Sequence, residues 1–320
     1  MDIYEAANTI RKCPYCFTEG ELKDPAEYVV YKDSESVVCD WYETLAMIWI
    51  GKWKTLPPKE LLHNSLITNS EGETCAMVWI KECESLPPKE ILHDKTVKNT
   101  LTGDTLAMYW ITYCKLLPPK ELLHDPTLTN DSGWTCAMTW IEECKSLPPK
   151  ELLHDPTLQD EEDYTCAMIW IQVIKTLPPL ELRHETTLLT IYRETCATIW
   201  IRFVKTPVPK ELLYDKLFRE HMLGDTLAMQ WIMWCTSLPQ KELLHDPTIK
   251  NNRGETCAML WIIHVKSLPP KELIHDPTIK NNRGETCETL WIKYVKSLPP
   301  KELLHETIEV RHVRRYGLNT

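Results

Sequence analysis

One motif recurs along the chain and decides what the chain can fold into. A Trp-Ile pair occurs nine times in the 320 residues, at intervals of 30 or 31, with a Thr five residues before each Trp. A Leu-Pro-Pro-Lys-Glu-Leu-Leu-His segment or a near copy follows each pair, and residues 246–257 and 276–287 are identical. A fixed period of this length is typical of stacked repeat arrays. The Trp residues of the pairs are Trp49, Trp79, Trp110, Trp140, Trp170, Trp200, Trp231, Trp261 and Trp291.

The apolar residues within each repeat follow a helical period. Counted from the repeat Thr, they fall at positions +2, +5, +6 and +9, as in Ala258, Trp261, Ile262 and Val265. This spacing predicts an amphipathic helix with the Thr as its N-cap. The helix must end before the Pro pair, which leaves about eleven residues, and the second Pro suits the start of another helix of about two turns. An Asp-Pro pair then ends the second helix, and a turn leads to the next repeat.

Neither helix is long enough to persist alone in water, so each repeat must bury its apolar stripe on its neighbour. The predicted fold class is therefore all-α, an elongated solenoid of stacked helix-turn-helix units. We assign residues 41–305 to nine repeats, residues 1–40 to a degenerate N-terminal capping repeat, and residues 306–320 to a C-terminal cap or tail. The N-terminal assignment follows from the string Glu-Leu-Lys-Asp-Pro at residues 21–25, which matches part of the repeat signature.

The repeat resembles the ankyrin repeat, and it looks like the divergent arrays expanded in some protists. The ankyrin Thr-Pro-Leu-His becomes Thr-Cys-Ala-Met here, as at residues 74–77, and the repeat is about three residues shorter than the family's usual 33. The resemblance implies a non-catalytic scaffold that binds protein partners through its turn tips and the concave face of its inner helices. In one repeat the matching residues are Gly254, Thr256, Ile262, Leu273, Ile274 and Ile279.

The charge balance narrows the classes of partner. There are 36 Lys and Arg residues against 46 Asp and Glu, and the resulting net charge of −10 disfavours a nucleic-acid or anionic-membrane binder. An RNA-binding helical repeat is therefore the least favoured of three interpretations of the function. No apolar run reaches the ~20 residues of a membrane span, and residues 1–11 lack the blocks of a signal peptide. We expect a monomeric cytoplasmic protein, with a nuclear location as the alternative.

The cysteines raise the question of metal or redox chemistry. Of the 13 Cys residues, ten lie at fixed repeat positions, where they are predicted to be small core side chains. The others, Cys13, Cys16 and Cys39, include a Cys-x-x-Cys pair. Such a pair can bind zinc or cycle between thiol and disulfide. A repeat array with an N-terminal zinc or redox site is therefore the alternative function.

A His ends most of the predicted second helices, and there it is expected to bond the free backbone carbonyls. A ladder of metal-binding His residues is the less favoured interpretation. The His-Asp pair recurs through the array, whereas a catalytic site needs one unique constellation. The sequence contains no phosphate-binding Gly loop, nucleophile elbow or His-Glu-x-x-His string. We predict no enzyme activity, no metal site and no cofactor.

Solvent-facing positions that differ between repeats are the candidates for partner binding. They are positions +7 and +8 of the first helix, the residue before the repeat Thr, and the turn at residues 192–193. Aromatic and Arg side chains, which dominate interface hot spots, are frequent among them. The predicted partner-binding residues are Thr112, Tyr113, Trp134, Glu142, Glu143, Tyr164, Gln172, Tyr192, Arg193, Arg202, Phe203, Met233, Trp234, Ile263 and His264.

Overall fold

The computed structural model describes residues 20–24, 28–32, 38–57, 59, 62, 67–183, 188–213 and 223–304. The chain divides into two compact blocks, Met1–Glu161 and Glu162–Thr320, which we call the N-terminal block and the C-terminal block. The helical repeats occur in both blocks.

Each described repeat contains one α-helix that begins directly after its Thr. The Thr is the predicted N-cap: Thr256 Oγ1, for example, accepts a hydrogen bond from Met259 N at 3.4 Å. The helices are shorter than expected, at eight or nine residues, because the next residues turn into the left-handed region at positions such as Lys145. Their bounds are α1 Leu45–Trp53, α2 Cys75–Cys83, α3 Leu106–Cys114, α4 Cys136–Cys144, α5 Cys166–Ile174, α6 Cys196–Phe203, α7 Leu227–Cys235, α8 Cys257–His264 and α9 Cys287–Tyr294.

The predicted second helix is wrong. After the Pro pair the chain makes only a single turn, and in five repeats this is a 3-10 helix of three residues. Ile274 is already extended, at φ −69° and ψ 137°, because Asp276 precedes a Pro and too few residues remain for bonds from residue i to i−4. The 3-10 helices are Leu180–Leu182, Lys210–Leu212, Lys241–Leu243, Lys271–Leu273 and Lys301–Leu303.

The repeats stack through the Trp column. Trp79 is 9% exposed and packs in one apolar cluster with Ala46, Met47 and Ile50 of the preceding repeat. Trp291 packs in the same way on Ala258, Met259 and Ile262 in the C-terminal block. Contacts join α1 to α2, α2 to α3 and α3 to α4, and likewise each neighbouring pair from α5 to α9. The predicted helical-repeat fold is confirmed.

The turns between repeats are joined by backbone hydrogen bonds as well. Within one turn, Asn281 Oδ1 accepts from the backbone N–H groups of Arg283 and Glu285, both at 2.9 Å. Between turns, the N–H of Asn282 donates to the carbonyl of Arg253 at 3.0 Å. The equivalent bond in the N-terminal block joins the N–H of Asp131 to the carbonyl of Thr102 at 3.1 Å. Successive turns are therefore held in register independently of the apolar core.

The segment before α1 differs from the prediction of a helical repeat. It forms an antiparallel sheet in the order β1-β2-β3, with strands Gly20–Asp24, Tyr28–Lys32 and Val38–Glu43. Val29 pairs with Leu22 and Val30 with Tyr42. β-Branched and aromatic residues such as those of Tyr28–Lys32 favour strands, and this preference prevails over the weak match to the repeat signature. That residues 1–40 cap the array remains a prediction, and residues 306–320 lie outside the described residues.

The indole N–H groups of the Trp column have a regular partner six residues downstream. Trp79 Nε1 donates to Ser85 Oγ at 3.0 Å and Trp140 Nε1 to Ser146 Oγ at 2.9 Å. Trp110 breaks this pattern because Leu116 stands where the other repeats have Ser or Thr. Trp110 Nε1 is buried and has no acceptor among the described residues.

We expect Leu116→Ser to raise the free energy of unfolding by about 1 kcal/mol relative to Leu116→Ala, since only the hydroxyl supplies the missing acceptor. Leu116 is 60% exposed, so little core packing is lost in either variant. Denaturation in urea, followed by Trp fluorescence, measures the difference. Ser85→Ala is the matched control, because Trp79 is as buried as Trp110 at 9% exposure, and it should lose a similar amount. Equal stability of the two Leu116 variants would contradict this role of the hydroxyl.

Candidate functional site

The second half of each helix lies beside the turn that precedes it. The side chain at position +7 reaches the residue before the repeat Thr: Lys81 Nζ is 2.9 Å from Glu73 Oε1. The same pair is formed by Arg202 with Glu194 at 2.9 Å. Positions +7 and +8 therefore share one surface with the turn. We call positions +7 and +8, together with the three turn residues before the repeat Thr, the helix–turn surface.

In the C-terminal block an Arg organises this surface. Arg202 Nη1 donates to both carboxylate oxygens of Glu194, at 2.9 and 3.1 Å, and the Glu194 side chain is only 5% exposed. The guanidinium carbon lies 5.2 Å from the ring centre of Phe203 and 5.6 Å from that of Trp234 in the next repeat. Both distances are within the range of cation–π attraction. Arg202 thus fixes the aromatic rings of two neighbouring repeats.

Trp234 has a polar anchor of its own. Its Nε1 donates to Oε1 of the buried Gln230 at 3.0 Å, while 43% of the residue stays exposed. In the following repeats, Ile263 and Tyr294 pack against one apolar cluster. Partial burial lowers the pKa of His264, and this effect outweighs the opposing charges of Glu255 and Asp225. The imidazole of His264 is therefore neutral at pH 7.

The N-terminal block presents a more polar surface. Lys81 bonds both Glu71 and Glu73, at 2.7 and 2.9 Å. Tyr109 donates to Glu73 at 3.3 Å and accepts from Asn99 at 2.7 Å. Burial, and after it the charge of Glu73, raises the pKa of Tyr109, so its phenol stays protonated. These groups satisfy one another within the block.

The predicted partner-binding residues divide between the blocks and differ in exposure. Tyr164 does not fit the expected position, since it is buried at 8% exposure, and burial raises the pKa of its phenol to about 12. The charges of Glu194 and Arg202 both act on this phenol. The exposed residues are Tyr113, Glu142, Tyr192, Arg193, Trp234 and His264. Those that are half-buried are Thr112, Trp134, Glu143, Gln172, Arg202, Phe203, Met233 and Ile263.

Some of these residues already have partners inside their own block. Trp134 Nε1 donates to Asp160 Oδ2 at 3.1 Å, and Glu143 forms an ion pair with Lys115 of the preceding repeat. Arg193 occupies a position that is Gly in most repeats, with φ of +59°, and its side chain is exposed at the turn. Bonds of this kind hold the surface in one arrangement before any partner is bound.

The buried acidic residue before the repeat Thr was missed by the sequence analysis. Glu73 and Glu194 are each 3% exposed and orient the cation at position +7. The signal was present as opposite charges eight residues apart, in Glu73 with Lys81, Glu194 with Arg202, and Glu285 with Lys293. Eight residues correspond to about two turns of a helix, but here the Glu lies in the turn and the cation lies in the helix. A helical spacing therefore does not predict this ion pair.

The His residues have a different structural role from the one predicted. His275 Nε2 lies 2.6 Å from Thr256 Oγ1, and Nδ1 lies 2.7 Å from the carbonyl oxygen of Asp276. A carbonyl only accepts, so Nδ1 carries the proton and Nε2 accepts from the Thr hydroxyl. Burial lowers the pKa of His93 and of His124, which favours this neutral form. The His therefore ties the connector to the N-cap of its own helix.

The repeat thiols have the surroundings expected of core side chains. Burial raises the pKa of Cys166 and of Cys257 to about 12, so both stay protonated. Within the part of the chain that the structure describes, no three His, Cys, Asp or Glu side chains are grouped as a metal site requires. Cys13 and Cys16 of the alternative zinc or redox site lie outside the described residues, as does the side chain of Cys39.

None of the helices that the structure describes is both long enough and apolar enough to span a bilayer.

Comparison with known proteins gives structural likeness only. No protein-family model matches the chain. No curated protein matches it either. Among solved structures, it is similar to a complex described as the Bd0816 predatory endopeptidase from Bdellovibrio bacteriovorus with immunity protein Bd3460, at 20% identity and a TM-score of 0.35, covering 44% of this chain and 80% of that one.

Two other similar structures are ankyrin-repeat proteins. The ankyrin repeat domain of Bcl-3 has 11% identity and a TM-score of 0.29, over 64% of this chain and 87% of that one. The ankyrin repeat protein EF0377 has 14% identity and a TM-score of 0.16, over 80% and 99%. The decisive observation is the repeat itself, a turn, a Thr-capped helix and a connector that stack on the next copy in register. The chain is a helical-repeat protein. Its repeat units lack a full second helix, in line with their short period.

Proposed function

We propose that this helical-repeat protein is a non-catalytic scaffold that binds a protein partner through its helix–turn surface. One observation carries the proposal: the side chains that differ between repeats lie on the side of each helix that faces the turn, whereas the uniform Trp and Ile columns are buried. We take the helix–turn surface to be the concave inner-helix face that the ankyrin resemblance implies for partner binding.

The proposal extends to the class of partner and to the state of the protein. A net charge of −10 supports a protein rather than a nucleic-acid partner. Recurrence of the His-Asp pair in five of the nine repeats supports a structural rather than a catalytic use of His and Asp. We propose a monomer in the cytoplasm or nucleus that acts without a cofactor.

The test is affinity capture from a lysate of the native cells with two triple variants. Tyr113→Ala, Tyr192→Ala and Trp234→Ala together remove exposed aromatic rings of the helix–turn surface. The control, Leu117→Ala with Leu238→Ala and Leu268→Ala, removes residues of similar exposure, 38, 40 and 39%, from the connectors. Quantitative mass spectrometry should show proteins that are lost with the first variant and retained with the second. Identical captured sets from the wild type and both variants would contradict the proposal.

A further inference from the structure

The helix–turn surface of the C-terminal block carries a strip of apolar and aromatic side chains along its helices. From the repeat of Thr195 onward, positions +7 and +8 hold Phe203, Met233, Trp234, Ile263 and Tyr294, all at least partly accessible to solvent, together with Arg202, His264 and Lys293. Trp234 is linked to the preceding repeat by Arg202, and Tyr294 shares an apolar cluster with Ile263. The same positions in the N-terminal block are mostly polar or charged, namely Lys52, Lys81, Glu82, Thr112, Glu142 and Glu143, and the other two are Gly51 and Tyr113.

The turn edge of the same surface is positively charged. Arg193, Arg253 and Arg283 are exposed, and none of them forms an ion pair with a described carboxylate. The neighbouring acidic groups are already engaged: Glu194 bonds Arg202, and Glu285 bonds Lys293 at 2.8 Å. Three residues before the repeat Thr, where Arg253 and Arg283 lie, the N-terminal block has Glu71, Thr102 and Ser132 instead, and the first turn of the C-terminal block has Glu162. Among the described residues, turn arginines therefore border the apolar strip from Phe203 to Tyr294.

We infer that this surface binds an extended, acidic and amphipathic segment of a partner protein, an inference that rests on the proposed function. Apolar side chains of the segment cover the strip from Phe203 to Tyr294, and its carboxylates meet the turn arginines. Arg suits this role because its planar guanidinium binds a carboxylate with two parallel hydrogen bonds. Trp and Arg are enriched among the few residues that carry most of the binding energy at protein interfaces.

The repeat spacing sets the pattern of the segment. Arg253 and Arg283 occupy the same position in adjacent repeats, and packed helices lie about 8–10 Å apart. An extended chain of the polyproline II type has three residues per turn and advances about 3.1 Å per residue, so carboxylates at every third residue lie on one side and match one Arg per repeat. The negative charge of the rest of the chain does not prevent this contact, because salt screens charges beyond about 8–10 Å.

The experiment measures binding of three labelled peptides to the full chain by fluorescence anisotropy. The first has Glu at every third position with Leu and Trp between, the second has Lys in place of Glu, and the third has Ser in place of Leu and Trp. We expect only the first to bind well, and its affinity to fall as salt is raised. Equal binding of the second or third peptide, no binding of the first, or preferential binding of a single-stranded RNA oligonucleotide would overturn the inference.

Paired variants locate the contact. Arg253→Glu with Arg283→Glu should weaken binding of the first peptide by about tenfold or more, since attraction becomes repulsion at the turn edge. Lys241→Glu with Lys271→Glu makes the same change in net charge at exposed connector lysines and should leave the affinity unchanged. Equal weakening by both pairs would show a general charge effect and overturn the inference. Arg253→Gln with Arg283→Gln is a milder test, because it removes the two positive charges without reversing them and disturbs folding least.

Trp234→Ala tests the apolar strip, with Leu268→Ala as a control of similar exposure, 43 against 39%. Only the first should weaken binding, and circular dichroism confirms that both variants are folded. Should the peptides fail to discriminate while the capture experiment still depends on the helix–turn surface, this inference is wrong and the proposed function stands. Failure of the capture experiment would instead count against the proposed function itself.

Discussion

Trp79→Ala is expected to lower the free energy of unfolding of the N-terminal block by about 3–5 kcal/mol, the range for loss of a large buried aromatic side chain. The indole is 9% exposed and closes an apolar cluster with Ala46, Met47 and Ile50 of the preceding repeat. Truncation leaves a cavity at the junction of two repeats and also removes the hydrogen bond to Ser85. A repeat cannot replace these contacts from elsewhere, because each one touches only its neighbours.

Urea denaturation combined with hydrogen exchange would measure this effect. Amides of α1 and α2 should lose protection before those of the C-terminal block. Trp234→Ala is the matched control: Trp234 is 43% exposed, so its loss should cost far less. Similar losses from the two substitutions would contradict the assignment of the Trp column to the stacking core.

Gly254→Ala is expected to destabilise the protein by about 2–4 kcal/mol, and Gly284→Ala by only about 1 kcal/mol. Both glycines are left-handed, with φ of +75° and +76°, and an Ala is strained in either place. They differ in their neighbours. A Cβ on Gly254 would lie 2.5 Å from Oδ1 and 2.8 Å from the backbone N of Asn282, whereas Gly284 has no described atom within 4 Å.

The backbone of Asn282 cannot yield easily, since its N–H donates to the carbonyl of Arg253 at 3.0 Å. The two glycines lie in identical strings, residues 246–257 and 276–287, so effects of Ala on the unfolded chain cancel in the comparison. The difference in urea midpoint between the two variants therefore measures how closely one turn packs on the next. Equal destabilisation would show that only the left-handed backbone matters.

The helices were predictable because local chemistry and burial agree there. In the repeat of Thr256, the N-cap and the stripe of Ala258, Trp261 and Ile262 all indicate the same helix, and the structure contains it. The second helix was not predictable in its true form. Lys271–Leu273 has good helix-forming residues, yet the Pro before it and the Asp-Pro after it leave room for only one turn.

The candidate site was predictable only in part. The positions that differ between repeats identified Arg202, Phe203 and Trp234, but comparison of positions could not show that Arg202 joins the two rings and is held by Glu194. The sequence also did not show which of these side chains are exposed to solvent, and Tyr164 is buried in the structure. Side chains far apart in sequence meet only when the repeats are stacked.

The sequence by itself determined the repeat, its length, the Thr-capped helix and the identity of the buried columns, because periodic burial and capping are local properties that each repeat carries in full. Tertiary structure alone decided the pairing of turn residues with position +7, the contact of Arg202 with two aromatic rings and the hydrogen bonds between successive turns. These depend on how one repeat approaches the next and on distances between separate segments. The physical reason is that a hydrogen bond or ion pair forms only when packing brings both groups within a few ångströms, and no pattern in one segment specifies that distance.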